Sequence, residues 1–394
     1  MISFDDTAIA FESKNDNDLL RAYFLFKTVA NPSLVKIIKV LVETAQRIHF
    51  PVAWAVKPTI YRQFVGGESI ENCFKLVRVL EKYHVKAILD YSVEGMSSEA
   101  IIQHTLEETL RTIDNAAIDA NVPFAVFKPT ALCSHEVLEK AADPHYELTE
   151  IERGEASRFK ERIAVLCKRA YEKGVRLMID AEDSWYQSFV DDVITEMMML
   201  YNKEQAIIFN TLQMYRTDRL NFLKASYEKA VANNYYLGVK FVRGAYMEKE
   251  RERALQMGYP SPIQPDKQAT DIAFDTALQF SMDHLDRISI FCGTHNENSC
   301  RLFAALMEKQ ELSRDDQRCY FSQLYGMSDN ISFNLANKGY NVAKYVPYGP
   351  VKSVLPYLIR RAEENTSIAG QTSRELSLIK KERQRRKNLR APIS

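Results

Sequence analysis

Cysteine is scarce and unpaired in this chain. Its six residues among 394, Cys73, Cys133, Cys167, Cys292, Cys300 and Cys319, form no C-x-x-C and no disulfide-like spacing. Cys292 and Cys319 sit inside apolar runs, as buried small hydrophobes do, so a reducing compartment is expected. No apolar run reaches the roughly 18 residues that mark a membrane-spanning helix. The first 18 residues carry Asp5, Asp6, Glu12, Asp16 and Asp18, whereas signal peptides start basic and transit peptides avoid acids. A cytoplasmic protein is expected, at most peripheral on the inner face of a membrane. Net charge is absent as well: 52 basic residues balance 52 acidic ones, which disfavours a nucleic-acid partner.

Familiar site motifs are missing too. There is no G-x-G-x-x-G and no G-x-x-x-x-G-K-[ST], so any nucleotide must be held by side chains and scattered amides. The seven histidines include no H-x-x-x-H or H-E-x-x-H pair and no Cys/His cluster, so no metal is expected. A G-x-S-x-G elbow is absent, which leaves nucleophilic hydrolysis poorly supported.

What remains is an ordinary globular composition, 46% hydrophobic, with 20 Phe and 20 Tyr. Residues 1–85 read as a helical arm: Asn31-Pro32-Ser33 is a start signal, followed by apolar residues near helical spacing, and a second helix is predicted over Ile70–Tyr83. Short β-branched or aromatic runs then alternate with amphipathic stretches that predict helices over Ser97–Asn121, Glu155–Lys173, Val190–Tyr201, Arg216–Asn233, Thr270–Leu285, Asn298–Lys309 and Ile331–Lys338. The predicted strands are Ala87–Tyr91, Phe124–Lys128, Arg176–Asp180, Ala206–Gln213, Tyr236–Arg243, Ile288–Thr294, Cys319–Leu324 and Asn341–Val346. Eight strands, each followed by a helix, predict an α/β fold, a (β/α)8 TIM-like barrel over residues 86–370. A basic tail, residues 371–394, follows and reads either as a solvated end helix or as an anchor for an anionic surface.

Catalytic groups in such barrels project from the C-terminal strand ends. Those ends are polar here: Asp90 and Glu94, Lys128, Asp180 with Glu182 and Asp183, Gln213 and Tyr215, Lys240 with Arg243 and Tyr246, His295 and Asn296, Gln323, Tyr345 and Tyr348. Taken singly, each is most often a solvated loop residue or a structural ion pair. Together, the cations Lys128, Lys240 and Arg243 at the ends of apolar strands imply facing carboxylates or a bound anion, because burial without a partner is costly. Glu94, Asp180 and Glu182 are the carboxylates expected to supply part of that charge. Arg360 and Arg361 are adjacent on the helix after the last strand. Both reach one ligand only if that helix lies across the barrel mouth, where they would form a carboxylate clamp with Lys128. A site of cations, tyrosines and amides without a nucleophile suits a cofactor that carries the chemistry.

The segments Leu89-Asp90-Tyr91-Ser92-Val93-Glu94, Lys128-Pro129-Thr130-Ala131-Leu132, Ile179-Asp180-Ala181-Glu182, Val242-Arg243-Gly244-Ala245-Tyr246, Thr294-His295-Asn296, Gln323-Leu324-Tyr325-Gly326-Met327, Tyr345-Val346-Pro347-Tyr348-Gly349-Pro350 and Arg360-Arg361-Ala362-Glu363-Glu364-Asn365 together resemble the proline dehydrogenase family. The likeness runs in order from about residue 50 to residue 370. It implies FAD as cofactor, L-proline as substrate and a quinone, at a membrane surface, as electron acceptor. It also implies that Arg360, Arg361 and Lys128 hold the substrate carboxylate, with Glu94 paired to Arg360 and Asp90 as a supporting acid. Tyr345 and Leu324 would pack on the pyrrolidine ring, with Tyr246 nearby. Gln213, Lys240, Val242, Arg243, Gly244, Tyr246, Thr294, His295 and Asn296 match flavin-gripping positions, and Asp180 lies beside the flavin ring. Pro129 and Ser322 depart from the family pattern, and the chain lacks room for the aldehyde dehydrogenase domain of bifunctional relatives, which implies a monofunctional enzyme. Three other readings stay open: a hydroxyproline dehydrogenase, an aldolase using a strand-end lysine as a Schiff base, and a non-catalytic membrane-associated scaffold.

Overall fold

The computed structural model describes residues 2–47, 51–92, 98–367 and 371–390. Eight strands, β1 (Lys86–Tyr91), β2 (Phe124–Phe127), β3 (Arg176–Ile179), β4 (Ile208–Gln213), β5 (Leu237–Val242), β6 (Ile288–Gly293), β7 (Cys319–Leu324) and β8 (Val342–Tyr348), close in sequence order into a barrel. The predicted strands all form, with ends shifted by a residue or two. One shift has a clear cause. Ala206 and Ile207 precede β4 rather than extend it, because Asn202 Oδ1 accepts the Ile207 and Ile208 amides at 2.9 and 2.8 Å and so competes with the ladder.

The chain divides into two compact units, one chiefly residues up to 87 and from 323 onward, the other chiefly residues 88–322. In the second unit an aromatic layer fills the N-terminal ends of the strands. Phe124 packs edge-on against Phe209, Phe291 and Tyr320 at centroid distances of 5.4, 5.1 and 5.0 Å. The Arg176 guanidinium sits 5.5 Å from the Phe124 ring and 5.4 Å from that of Tyr320. Register places these residues together, since Phe124 is level with Arg176 and Phe291 with Tyr320. Gly238 on β5 is required by the same layer, because a Cβ there would lie 2.5 Å from the Ile208 carbonyl and 2.7 Å from the Phe209 ring.

The helices follow the amphipathic pattern with cap corrections. The helix predicted from Glu155 starts at Glu150, where Thr149 and Glu152 form a reciprocal capping box. The one predicted from Val190 starts at Ser184, behind an Asp183 cap. Two helices, His135–Ala142 and Met247–Met257, went unpredicted. In the first unit, Pro32–Arg47 forms from the expected start signal, Asn31 Oδ1 accepting the Ser33 and Leu34 amides. The second expected helix runs Ile70–Glu81.

The tail is neither frayed nor free. Gln371–Arg390 is a helix with Leu378 and Ile379 buried. Its cations meet the acidic N-terminus: Arg386 and Arg390 pair with Asp16, and Arg374 with Asp5. Arg385 and Arg386 also grip the buried Glu382. All six cysteines are buried, as Cys292 and Cys319 were read to be, and burial pushes the Cys73, Cys133 and Cys319 thiols up to about 12.

Candidate active site

Each strand-end cation of the second unit meets a carboxylate. Lys128, just past β2, donates from Nζ to both oxygens of Asp90 at 3.0 and 2.8 Å. Lys240 on β5 donates to Asp180 Oδ1 at 2.5 Å. Arg243 spreads its fork over three acceptors, Nε to Asp271 Oδ1 at 2.7 Å and the terminal nitrogens to Thr294 Oγ1 at 2.6 Å and Ser299 Oγ at 2.9 Å. Asp271 was not foreseen. It comes from the helix Lys267–Asp283, and no sequence spacing links it to Arg243. Burial opposes its ionisation, but hydrogen bonds from Lys267 and Arg243 outweigh that and hold its carboxyl below the usual range.

Glu182, expected to face a cation, does something else: its carboxylate accepts the Thr130 amide at 3.0 Å and the Thr130 hydroxyl at 2.7 Å. Burial pushes it up to about 7, against the opposing pull of the Thr130 bonds and the Lys128 charge. The sign of the consequence is fixed. Between the unfolded value of 4.5 and about 7 the folded state holds a proton that the unfolded chain releases, so stability falls as pH rises through that window. Full loss amounts to about 3 kcal/mol. Glu375, buried in the first unit and also pushed up to about 7, adds a like slope. Denaturant unfolding of Glu182→Gln from pH 4.5 to 8 should therefore show a visibly shallower decline than the parent; an unchanged slope would show that Glu182 is ionised throughout.

Gln213, at the end of β4 and 2% exposed, donates to the carbonyls of Ala181 and Glu182 at 3.3 and 3.0 Å. Its Oε1 is buried and has no donor, as is the Thr211 hydroxyl one turn of the pleat earlier. Beside it, Val242 and Arg243 extend the ladder through their carbonyls, accepting the Met214 and Tyr215 amides at 2.8 Å each. Gly244 then turns with φ of 130°, and a Cβ there would lie 2.4 Å from the Tyr215 ring. Only glycine fits. Tyr246, half-buried, caps the Met247–Met257 helix with Lys249 6.0 Å over its ring. After β6, the Thr294 hydroxyl accepts the Asn296 amide at 3.1 Å, Asn296 in turn caps Glu297–Lys309, and His295 lies between them, half-buried.

In the first unit, Tyr345 on β8 is 8% exposed, and its carbonyl accepts the Tyr325 amide at 2.8 Å beside Leu324 at the end of β7. Arg360 is half-buried and Arg361 buried on the helix Val351–Ser367, with the Arg361 guanidinium 5.4 Å from the Tyr357 ring. Glu94 lies outside the described residues. The same unit holds a cavity of about 810 Å³ whose lining includes none of the predicted site residues, so this void is not where the polar strand ends gather. Among the described residues no cluster suited to a metal occurs and no helix is long and apolar enough to cross a membrane.

Known proteins match both sequence and fold. The family model described as proline dehydrogenase covers residues 73–374. The carbapenem biosynthesis protein CarD of Pectobacterium carotovorum is 36% identical, over 82% of this chain and 83% of its own length. Mitochondrial proline dehydrogenase 1 of Dictyostelium discoideum is 30% identical over 97% of this chain and 74% of its own. A hydroxyproline dehydrogenase of Xenopus laevis is 30% identical over 98% and 90%. Among solved structures, proline utilization A of Bdellovibrio bacteriovorus, described as inactivated by N-propargylglycine, superposes with a TM-score of 0.72 at 21% identity, covering 92% of this chain. The chain spans only 38% of that protein's length. The predicted (β/α)8 barrel is thereby borne out, and the chain belongs to the proline dehydrogenase family.

Proposed function

We propose that this chain oxidises L-proline to Δ1-pyrroline-5-carboxylate with FAD as cofactor and passes the electrons to a quinone. The observation that carries the reading is the buried Gln213 amide, whose oxygen lacks a donor among three strand-end cations each steered by an acid. Such an arrangement fits a polar, partly anionic cofactor and an anionic substrate. The flavin would be held by Asp180, Gln213, Lys240, Val242, Arg243, Gly244, Tyr246, Thr294, His295 and Asn296. When bound, a flavin supplies an acceptor for the hydride leaving the ring carbon beside the proline nitrogen.

The chain's own residues do the aiming. Lys128, fixed by Asp90, would bind the substrate carboxylate together with Arg360 and Arg361, and this clamp sets the ring at near-attack distance. Leu324, Tyr345 and Tyr246 would cover the ring and exclude water. Lys240, oriented by Asp180, would favour negative charge developing on the cofactor. The proton on the substrate nitrogen goes to solvent. A Schiff-base lysine needs a free amine, whereas Lys128 and Lys240 are both committed as ion-pair donors, which disfavours the aldolase reading. Hydroxyproline is the closest competitor, since one relative carries that name; the bulk of Tyr345 over the ring favours unsubstituted proline.

The test is a visible spectrum of the purified protein before and after anaerobic L-proline. Flavin bands that bleach are expected, more readily with proline than with hydroxyproline. A colourless protein, or bands indifferent to both imino acids, would sink the proposal.

A further inference from the structure

We propose that the cavity of about 810 Å³ in the first unit is a binding site for a lipophilic carboxylate, an anion with a long apolar chain. The proposal rests on this cavity alone and not on the reaction.

Close-packed interiors seldom keep a void of this size, and small-molecule sites occupy about 300–1,000 Å³. Neither proline nor a flavin accounts for it, because none of the residues assigned to those ligands lines it. Its walls are mostly apolar. Leu25 and Val29 come from the helix Asp16–Val29, Val35 and Val42 from Pro32–Arg47, and Leu355 and Leu358 from Val351–Ser367. Phe24 and Ile38 line it too, and they are 58% and 45% exposed. The void therefore has a mouth beside them, through which an apolar chain can enter.

The charged part of the lining decides the head group. Five of the lining residues are basic and three acidic, although acids equal bases in the whole sequence. Two of the acids are each shared by two cations. Asp18 faces both Arg21 and Arg62. Asp329 meets Lys344 at 2.8 Å through Oδ1 and Lys14 at 3.9 Å through Oδ2. The third acid, Glu375, accepts the Ser328 amide at 2.5 Å. Lys344 is buried and also donates to the Met327 carbonyl at 2.6 Å. Lys14 is held more loosely, since 3.9 Å is an ion pair without a hydrogen bond. Its side chain is 24% exposed, and its ammonium stands 5.5 Å from the ring of Tyr325, which lines the cavity as well. A ligand carboxylate on Lys14 would answer the surplus of positive charge while its chain lies among the leucines and valines. A neutral lipophile such as a quinone would leave that surplus unanswered.

cis-Parinaric acid, a fatty acid that fluoresces in apolar surroundings, should bind the full chain, and laurate should displace it. Methyl laurate, which keeps the chain and lacks the charge, should displace it at least about tenfold less well. L-Proline should not displace it. Lys14→Met should weaken laurate binding about tenfold or more, and Lys14→Arg, which keeps the charge, should retain most of it. Ala22→Trp puts an indole into the void; it should abolish binding and remove the rise in melting temperature that laurate gives the parent. Circular dichroism melting without ligand checks that each variant is folded, and the arms on the parent chain need no variant. A parent that ignores laurate overturns the proposal. So does displacement by L-proline, which would put the probe in the substrate clamp, and so does methyl laurate or a short-chain quinone that matches laurate, because the site would then read shape and not charge. Laurate binding undiminished in folded Lys14→Met or Ala22→Trp overturns it as well.

Discussion

Asp191→Ala should cost about 3 kcal/mol of stability, as breaking a buried ion pair from one side does. Asp191 is 2% exposed and Arg219 6%. Its carboxylate takes Arg219 at 2.7 Å on one oxygen, and Gln187 and Asn210 at 3.0 and 2.9 Å on the other. Alanine would orphan all three donors at once, and Arg219 would keep only Asp218, whose side chain is 44% exposed. Much of the cost is thus the buried guanidinium rather than the lost bonds. The checks are a lower denaturant midpoint at unchanged slope and a double variant, Asp191→Leu with Arg219→Met, that recovers part of the loss. An exposed pair gives the contrast: Glu172→Ala, removing a contact to Lys168 with both side chains over half exposed, should change stability by less than about 0.5 kcal/mol. Equal effects at the two sites would mean that burial does not govern ion-pair energetics in this fold.

Local chemistry made the barrel legible. Strands buried on both sides read as short apolar runs between helical patterns, and Cys319–Leu324 was bounded correctly by its flanking turns. Where the reading slipped, a side chain had taken over a backbone role, as Asn202 does before β4 and Thr149 with Glu152 at the start of a helix. The strand-end cations were also readable, because a lysine or arginine closing an apolar run needs a counter-charge. Which acid answers was not readable. Asp90 lies 38 residues from Lys128, and Asp271 reaches Arg243 from another element. Glu182 accepts its hydrogen bonds from a threonine, while the Lys128 charge acts on it as well. The acidic N-terminus and the basic tail were each plain in the composition, yet Asp16 and Arg386 meet across 370 residues, a pairing that only the closed fold defines.

Lys128→Met should raise the KM for L-proline about 10- to 100-fold, the range expected for a charge-assisted hydrogen bond of roughly 1.5–3 kcal/mol. Lys128 is the cation of the proposed clamp that Asp90 grips with both oxygens, so it arrives oriented and its contribution is to binding more than to chemistry. On that ground kcat should change much less than KM. Bound flavin should be retained, since no proposed flavin contact is touched. Asp90→Asn, isosteric at a residue 1% exposed, should give a smaller rise in KM, because the lysine keeps its charge and loses only its guide. Pyrrolidine, which is proline without the carboxylate, separates this account from a general loss of shape. Parent and Lys128→Met should oxidise pyrrolidine at nearly the same low rate, because the deleted cation has nothing there to bind. If the variant is as impaired towards pyrrolidine as towards proline, Lys128 supports the barrel mouth rather than the substrate carboxylate, and the clamp must be built from the arginines alone.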